Sequence, residues 1–191
     1  MVDTTEPVPA DGLPAVAGLS FILVDPAAVT QPVLRPVLDY WEQKRAGRAM
    51  PRRQDIEPAE LKAYLPHISL VEPLPGGDFR YRLVGSAITE RYGRNSTGKT
   101  FREIYPDRPD IALWLTRVME AVVAHRRPVL ATGSLGAVGK EHVLSEALLL
   151  PLSDDAGNVT TIFGATRYSM RGAAAERPSE RPGVSPAPAR E

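Results

Sequence analysis

Residues 93–100, Gly-Arg-Asn-Ser-Thr-Gly-Lys-Thr, carry the spacing of a phosphate-binding loop, G-x-x-x-x-G-K-[ST]. In that chemistry the amides of a glycine-rich turn surround the phosphates. Lys99 would reach the β- and γ-phosphates, and Thr100 would ligate magnesium. Such a loop works only between a buried strand and a sustained helix. Residues 88–93, Ile-Thr-Glu-Arg-Tyr-Gly, are polar and helical in character, whereas a strand buried on both faces reads as a run of Val, Ile and Leu. After Thr100 the chain soon meets Pro106, which interrupts a helix. The nearest magnesium carboxylate, Asp154, follows a segment whose Pro151 argues against a central strand. A nucleotide-binding protein using residues 93–100 is therefore the alternative reading.

Other reactive side chains are sparse. With no cysteine there is no disulfide, thiolate nucleophile, cysteinyl–flavin adduct or cysteine-ligated zinc. His67, His125 and His142 show no paired ligand spacing, so neither metal nor haem is expected. No serine–histidine–acid set or supported carboxylate pair is visible, and no catalytic activity is expected. No cofactor is implied, and a non-covalently held small ligand stays open. Arg45, Arg48, Arg52 and Arg53 could hold an anion, but they lack interleaved aromatics and precede Asp55, Glu57 and Glu60, which suits a solvated, internally paired segment. The chain of 191 residues has a formal net charge of zero, which gives no support for nucleic acid or an anionic membrane as partner. The apolar run 13–24 follows acidic residues and is broken by Pro14 and Gly18, unlike a signal peptide. No run approaches the roughly 20 apolar residues of a membrane span. A cytoplasmic location is expected.

The elements that must position any site follow from periodicity. Residues 1–31 are rich in proline and small residues and are expected to be flexible, although 19–24 could pack somewhere. A helical extension covers 32–66, where Leu34, Val37, Leu38 and Trp41 recur at helical spacing until Gly47, and a short helix opens at Pro58. Strands are expected at 67–72 and 78–84, joined by a Pro/Gly-rich turn. Short helical turns follow to about 105. The longest helix starts at Pro109 and presents Ile111, Trp114, Leu115, Val118 and Val122 on one face before Pro128. Three further strands fall at 129–135, 142–152 and 159–168, the last two separated by the turn 154–158. Residues 171–191 have almost no large apolar side chains and are expected to be a disordered tail. The class is α+β, with an antiparallel five-stranded sheet and helices on one face.

That order, together with particular residues, resembles the PAS domains. The matching features are Trp41 with Lys44-Arg45, the segment 50–58, Leu65-Pro66, the run 79–85, Tyr92-Gly93, 97–99, and Glu146 leading into 149–152. More narrowly, the chain is similar to small stand-alone PAS-like proteins of alphaproteobacteria over about residues 33–170. The resemblance implies a PAS-like domain at 67–170 and a sensory or regulatory role in signal transduction. Such a module acts by sensing a small molecule, by docking a signalling protein in trans, or both. It also implies that a ligand would lie between the inner sheet face and the long helix. Tyr92, Trp114, Met119, His142 and Glu146 are the pocket candidates, with Phe101 as a further aromatic. Core filling is the plainer reading of the aromatics and Met119. For Glu146 the plainer reading is an ion pair with Arg80, Arg82 or Arg167. Leu34, Leu38 and Trp41 are the partner or homodimer candidates, because this helix either covers the sheet or joins two chains.

Overall fold

The computed structural model of the protein describes residues 20–23, 29 and 31–171. Helix α1 (Leu34–Arg45) ends with Lys44 and Arg45 in its last turn and leaves through Ala46 and Gly47 at positive φ. Tight turns at Arg53–Asp55, Pro58–Leu61 and Leu65–His67 carry the chain to the sheet. Strands β2 (Ile68–Pro73) and β3 (Phe79–Val84) form the first hairpin. Helices α2 (Ser86–Tyr92), α3 (Phe101–Ile104) and α4 (Pro109–His125) follow, α4 being the longest. Strands β4 (Val129–Leu135), β5 (Lys140–Ser153) and β6 (Val159–Met170) complete the antiparallel five, with β5 and β6 paired over most of their length.

The sheet contains one strand more than expected. β1 (Ser20–Leu23) pairs antiparallel with Val129–Thr132 of β4, giving the order β1-β4-β5-β6-β2-β3. Four residues within the segment expected to be flexible thus extend the sheet edge; the rest of that segment, and the tail beyond residue 171, lie outside the described residues.

The helices also occupy both sheet faces. Along β5, Ser145, Ala147 and Leu149 line a cavity beneath α4, so Leu148, Leu150 and Leu152 point the opposite way. Those three are fully buried, as are Phe163 and Ala165 beside them on β6. Helix α1 packs on β5 and β6, and its Trp41 donates its indole N–H to the Pro151 carbonyl at 3.0 Å. This also explains how β5 tolerates a proline. Pairing with β4 stops at Leu149, so the missing N–H of Pro151 leaves no ladder bond unmade. The buried face of α1 belongs to the same hydrophobic core as the sheet.

Candidate functional site

Helix α4 spans the inner sheet face without filling it. A cavity of about 300 Å³ lies between them, closed at one end by α2 and the segment after α3. From α4 come Ile111, Trp114, Leu115, Val118 and Met119, the stripe set by helical periodicity. Small residues on the floor, Ala131, Gly133, Ser145 and Ala147, leave the space open. Tyr81 from β3, Tyr92 from α2, Tyr105 after α3 and Tyr168 from β6 converge on it.

These tyrosines define the electrostatics. Each phenol is held above its usual range, chiefly because burial disfavours the phenolate, and neighbouring phenols reinforce the effect at Tyr81, Tyr92 and Tyr168. The cavity wall is therefore neutral at its polar end and rich in O–H donors. The hydroxyl of Tyr168 is buried and has no hydrogen-bond partner. Two guanidinium groups stand against the ring faces. Arg94 lies 4.8 Å from the Tyr105 ring centroid, and Arg91 lies 5.9 Å from that of Tyr168. Neither arginine lines the cavity. The charged lining residues are Arg108, which makes two hydrogen bonds to Asp110 at 2.7 and 3.0 Å, and the exposed Glu141.

Tyr92, Trp114 and Met119 are brought together at this cavity. His142 and Glu146 are not. His142 is exposed, and Glu146 points to the opposite sheet face, where it pairs with Arg167 across the strands. Alternation grouped His142 with Glu146 correctly but could not say which face was inner, because α1 makes both faces of β5 apolar. Phe101 is wholly buried against Phe79 and Tyr81, in the core. Leu34, Leu38 and Trp41 are 1%, 0% and 2% exposed, all within this chain, so they cannot present an exposed docking face. Sequence reasoning missed Tyr81, Tyr105 and Tyr168. Alternation of Phe79 and Tyr81 with Arg80 and Arg82 was the available signal for the first.

Three arginines of the basic cluster are paired: Arg45 with Glu42, Arg48 with Asp55, and Arg52 with the distant Asp155. Asp55 is held below its usual range first by the Arg52 amide and then by Arg48. Among the described residues no group of three or more His, Cys, Asp or Glu converges as a metal site.

The phosphate-loop pattern has the wrong geometry. The amide of Thr97 is bonded to Asn95 Oδ1, that of Gly98 to the Tyr81 carbonyl, and that of Lys99 to the Ser96 carbonyl. Thr100 is the N-cap of α3: its amide donates to Glu103 Oε2 at 2.7 Å, and its hydroxyl accepts from the Glu103 amide. The loop follows a helix, precedes one of only four residues, and holds against the edge of β3. The four amides from 97 to 100 are all committed to groups of the protein, and no parallel strand pair occurs among the named strands.

A family model described as PAS domain matches residues 29–167. Three solved structures are similar at low identity. An RNA-binding light-oxygen-voltage receptor shares 14% identity over 81% of this chain, with a TM-score of 0.47. A light-oxygen-voltage domain studied with a flavin analogue shares 12% over 58%, and a sensory box sensor histidine kinase from Vibrio cholerae shares 14% over 59%, each with a TM-score of 0.41. The chain spans 39% of the length of the first, 82% of the second and 88% of the third. No curated protein matches significantly.

Proposed function

The chain belongs to the PAS domain family, and from that premise we propose that it senses a small molecule in the cavity beneath α4 and relays its occupancy to a signalling protein in trans. The observation that carries this is the cavity itself: about 300 Å³ left open by small floor residues in an otherwise close-packed domain. A wall that combines apolar side chains with a few convergent polar groups is what small-molecule sites generally show. The domain carries no reaction of its own in this reading, and it is a cytoplasmic module of the type found in alphaproteobacteria. Among the described residues no helix is long and apolar enough to cross a membrane. A homodimer would use a surface other than the buried face of α1.

The test is to purify the chain gently, denature it, and analyse the released fraction by absorbance and mass spectrometry. A stoichiometric small molecule that the cavity-filling variant Ala147→Phe no longer carries supports sensing. An empty fraction, with no rise in melting temperature across a metabolite library, would remove it and leave docking alone.

A further inference from the structure

The cavity beneath α4 is open on one side, and β1 enters the sheet beside that opening. Ser145 and Ala147 on the cavity floor are only half-buried. The exposed members of the lining are Arg108, at the start of α4, and Glu141, just after the β4–β5 connection. The opening therefore lies between the first half of α4 and the far end of β4, which contributes Gly133, Ser134 and Leu135 to the lining.

β1 runs antiparallel to β4, and its pairs go from Leu23 with Val129 to Ser20 with Thr132. The chain just upstream of Ser20 is thus aimed along β4 toward the opening. Continued in the same register, position 18 comes opposite Ser134. Among the described strands, none lies outside Gly133 and Ser134, whose other neighbours are Ser145 and Leu144 of β5. An uncovered strand edge presents backbone groups that favour a further strand.

The residues delivered there suit an apolar opening. Leu13-Pro-Ala-Val-Ala-Gly-Leu19 has no charged and no hydrogen-bonding side chain, whereas Asp3, Glu6 and Asp11 precede it. Across the opening, α4 presents Ile111, Trp114 and Leu115. Bringing the two together removes apolar surface from water on both sides.

Resting on the sensor reading above for its purpose, we propose that residues 13–19 are a strap of the same chain that continues β1 along the edge of β4 and closes the cavity. A molecule enters when the strap lifts, so occupancy and strap position are coupled. The displaced strap gives a signalling protein something to read at the sheet edge.

The chain has no cysteine, so introduced thiols report without background. In the full chain, Gly18→Cys with Ser134→Cys should form an intrachain disulfide under mild oxidation, because directly opposed strand residues have Cα atoms about 4.5–5.5 Å apart. Gly18→Cys with Leu113→Cys, exposed on α4 and outside the lining, should not. Separately, Ala147→Cys places a single thiol on the cavity floor. Its reaction with dithiobis(nitrobenzoate) should quicken about tenfold when Leu13, Val16 and Leu19 are all changed to Ser, the effect of losing about one buried aliphatic side chain. A disulfide-linked dimer assigns the edge to a second copy and overturns the strap. So does equal crosslinking of both pairs, the absence of any disulfide, or a floor thiol whose reactivity the serine changes leave unaltered. The released fraction judges the sensor reading separately: an empty one removes it even where the disulfide forms, and a bound molecule sustains it even where none does.

Discussion

Raising the pH above 10 should unfold the protein steeply, and the tyrosines around the cavity set the magnitude. Tyr81, Tyr92, Tyr105 and Tyr168 all hold their protons above the ordinary phenol range, chiefly through burial. In the unfolded chain the same phenols ionise near pH 10. Above that pH the native state holds more protons than the unfolded state. Stability is therefore complete below about pH 10 and is lost as pH rises toward the folded pKa values. Each such phenol removes up to about 1.4 kcal/mol per pH unit, so the four together remove about 5 kcal/mol per unit. Against a domain stability of about 5–15 kcal/mol, unfolding should be complete within about one to three units above pH 10. Far-ultraviolet circular dichroism and phenolate absorbance, followed together, should give coincident cooperative curves. Tyr168→Phe should reduce the slope by about a quarter. The reasoning is refuted if all six tyrosines ionise near pH 10 while the dichroism stays native, since the hydroxyls would then be reached by water.

Trp41 should behave as a core residue: Trp41→Ala should cost about 3–5 kcal/mol in urea unfolding, and Trp41→Phe about 1–3 kcal/mol through the unpartnered Pro151 carbonyl. Changes below about 0.5 kcal/mol would instead fit an exposed docking side chain. Gly85→Ala should cost about 1–3 kcal/mol or more, because a Cβ there would stand 2.3 Å from the Pro66 carbonyl oxygen; an unchanged urea midpoint would contradict this. Lys99→Ala should leave the melting temperature within the effect of about 0.5 kcal/mol typical of exposed sites, and millimolar magnesium-ATP should shift neither protein. A nucleotide-dependent shift lost in that variant would restore the phosphate-loop reading.

Much of the fold was legible because its signals are local. Helix α4 follows from Pro109 and a stripe of apolar residues three and four apart, and each hairpin from alternation interrupted by turn residues. The rejection of residues 93–100 as a phosphate loop was equally local, since their polar, helical flank was visible without any coordinates. Three cavity residues, Tyr92, Trp114 and Met119, were reached from helical position and the family resemblance.

What the sequence by itself determined is thus the class of fold, the order of its elements and the helix that roofs the site. Tertiary structure alone decided which side of β5 is inner. A strand apolar on both faces has no intrinsic orientation, and packing of α1 on one face fixes Glu146 outward with Arg167 and leaves Ala147 toward the cavity. The pairing of β1 with β4 likewise rests on residues more than a hundred positions apart, for which four residues carry no local signature. The convergence of Tyr81, Tyr92, Tyr105 and Tyr168 is also a property of the assembled fold. Each is an ordinary amphipathic residue in its own segment, and burial at the cavity is what raises all four phenols above their usual range.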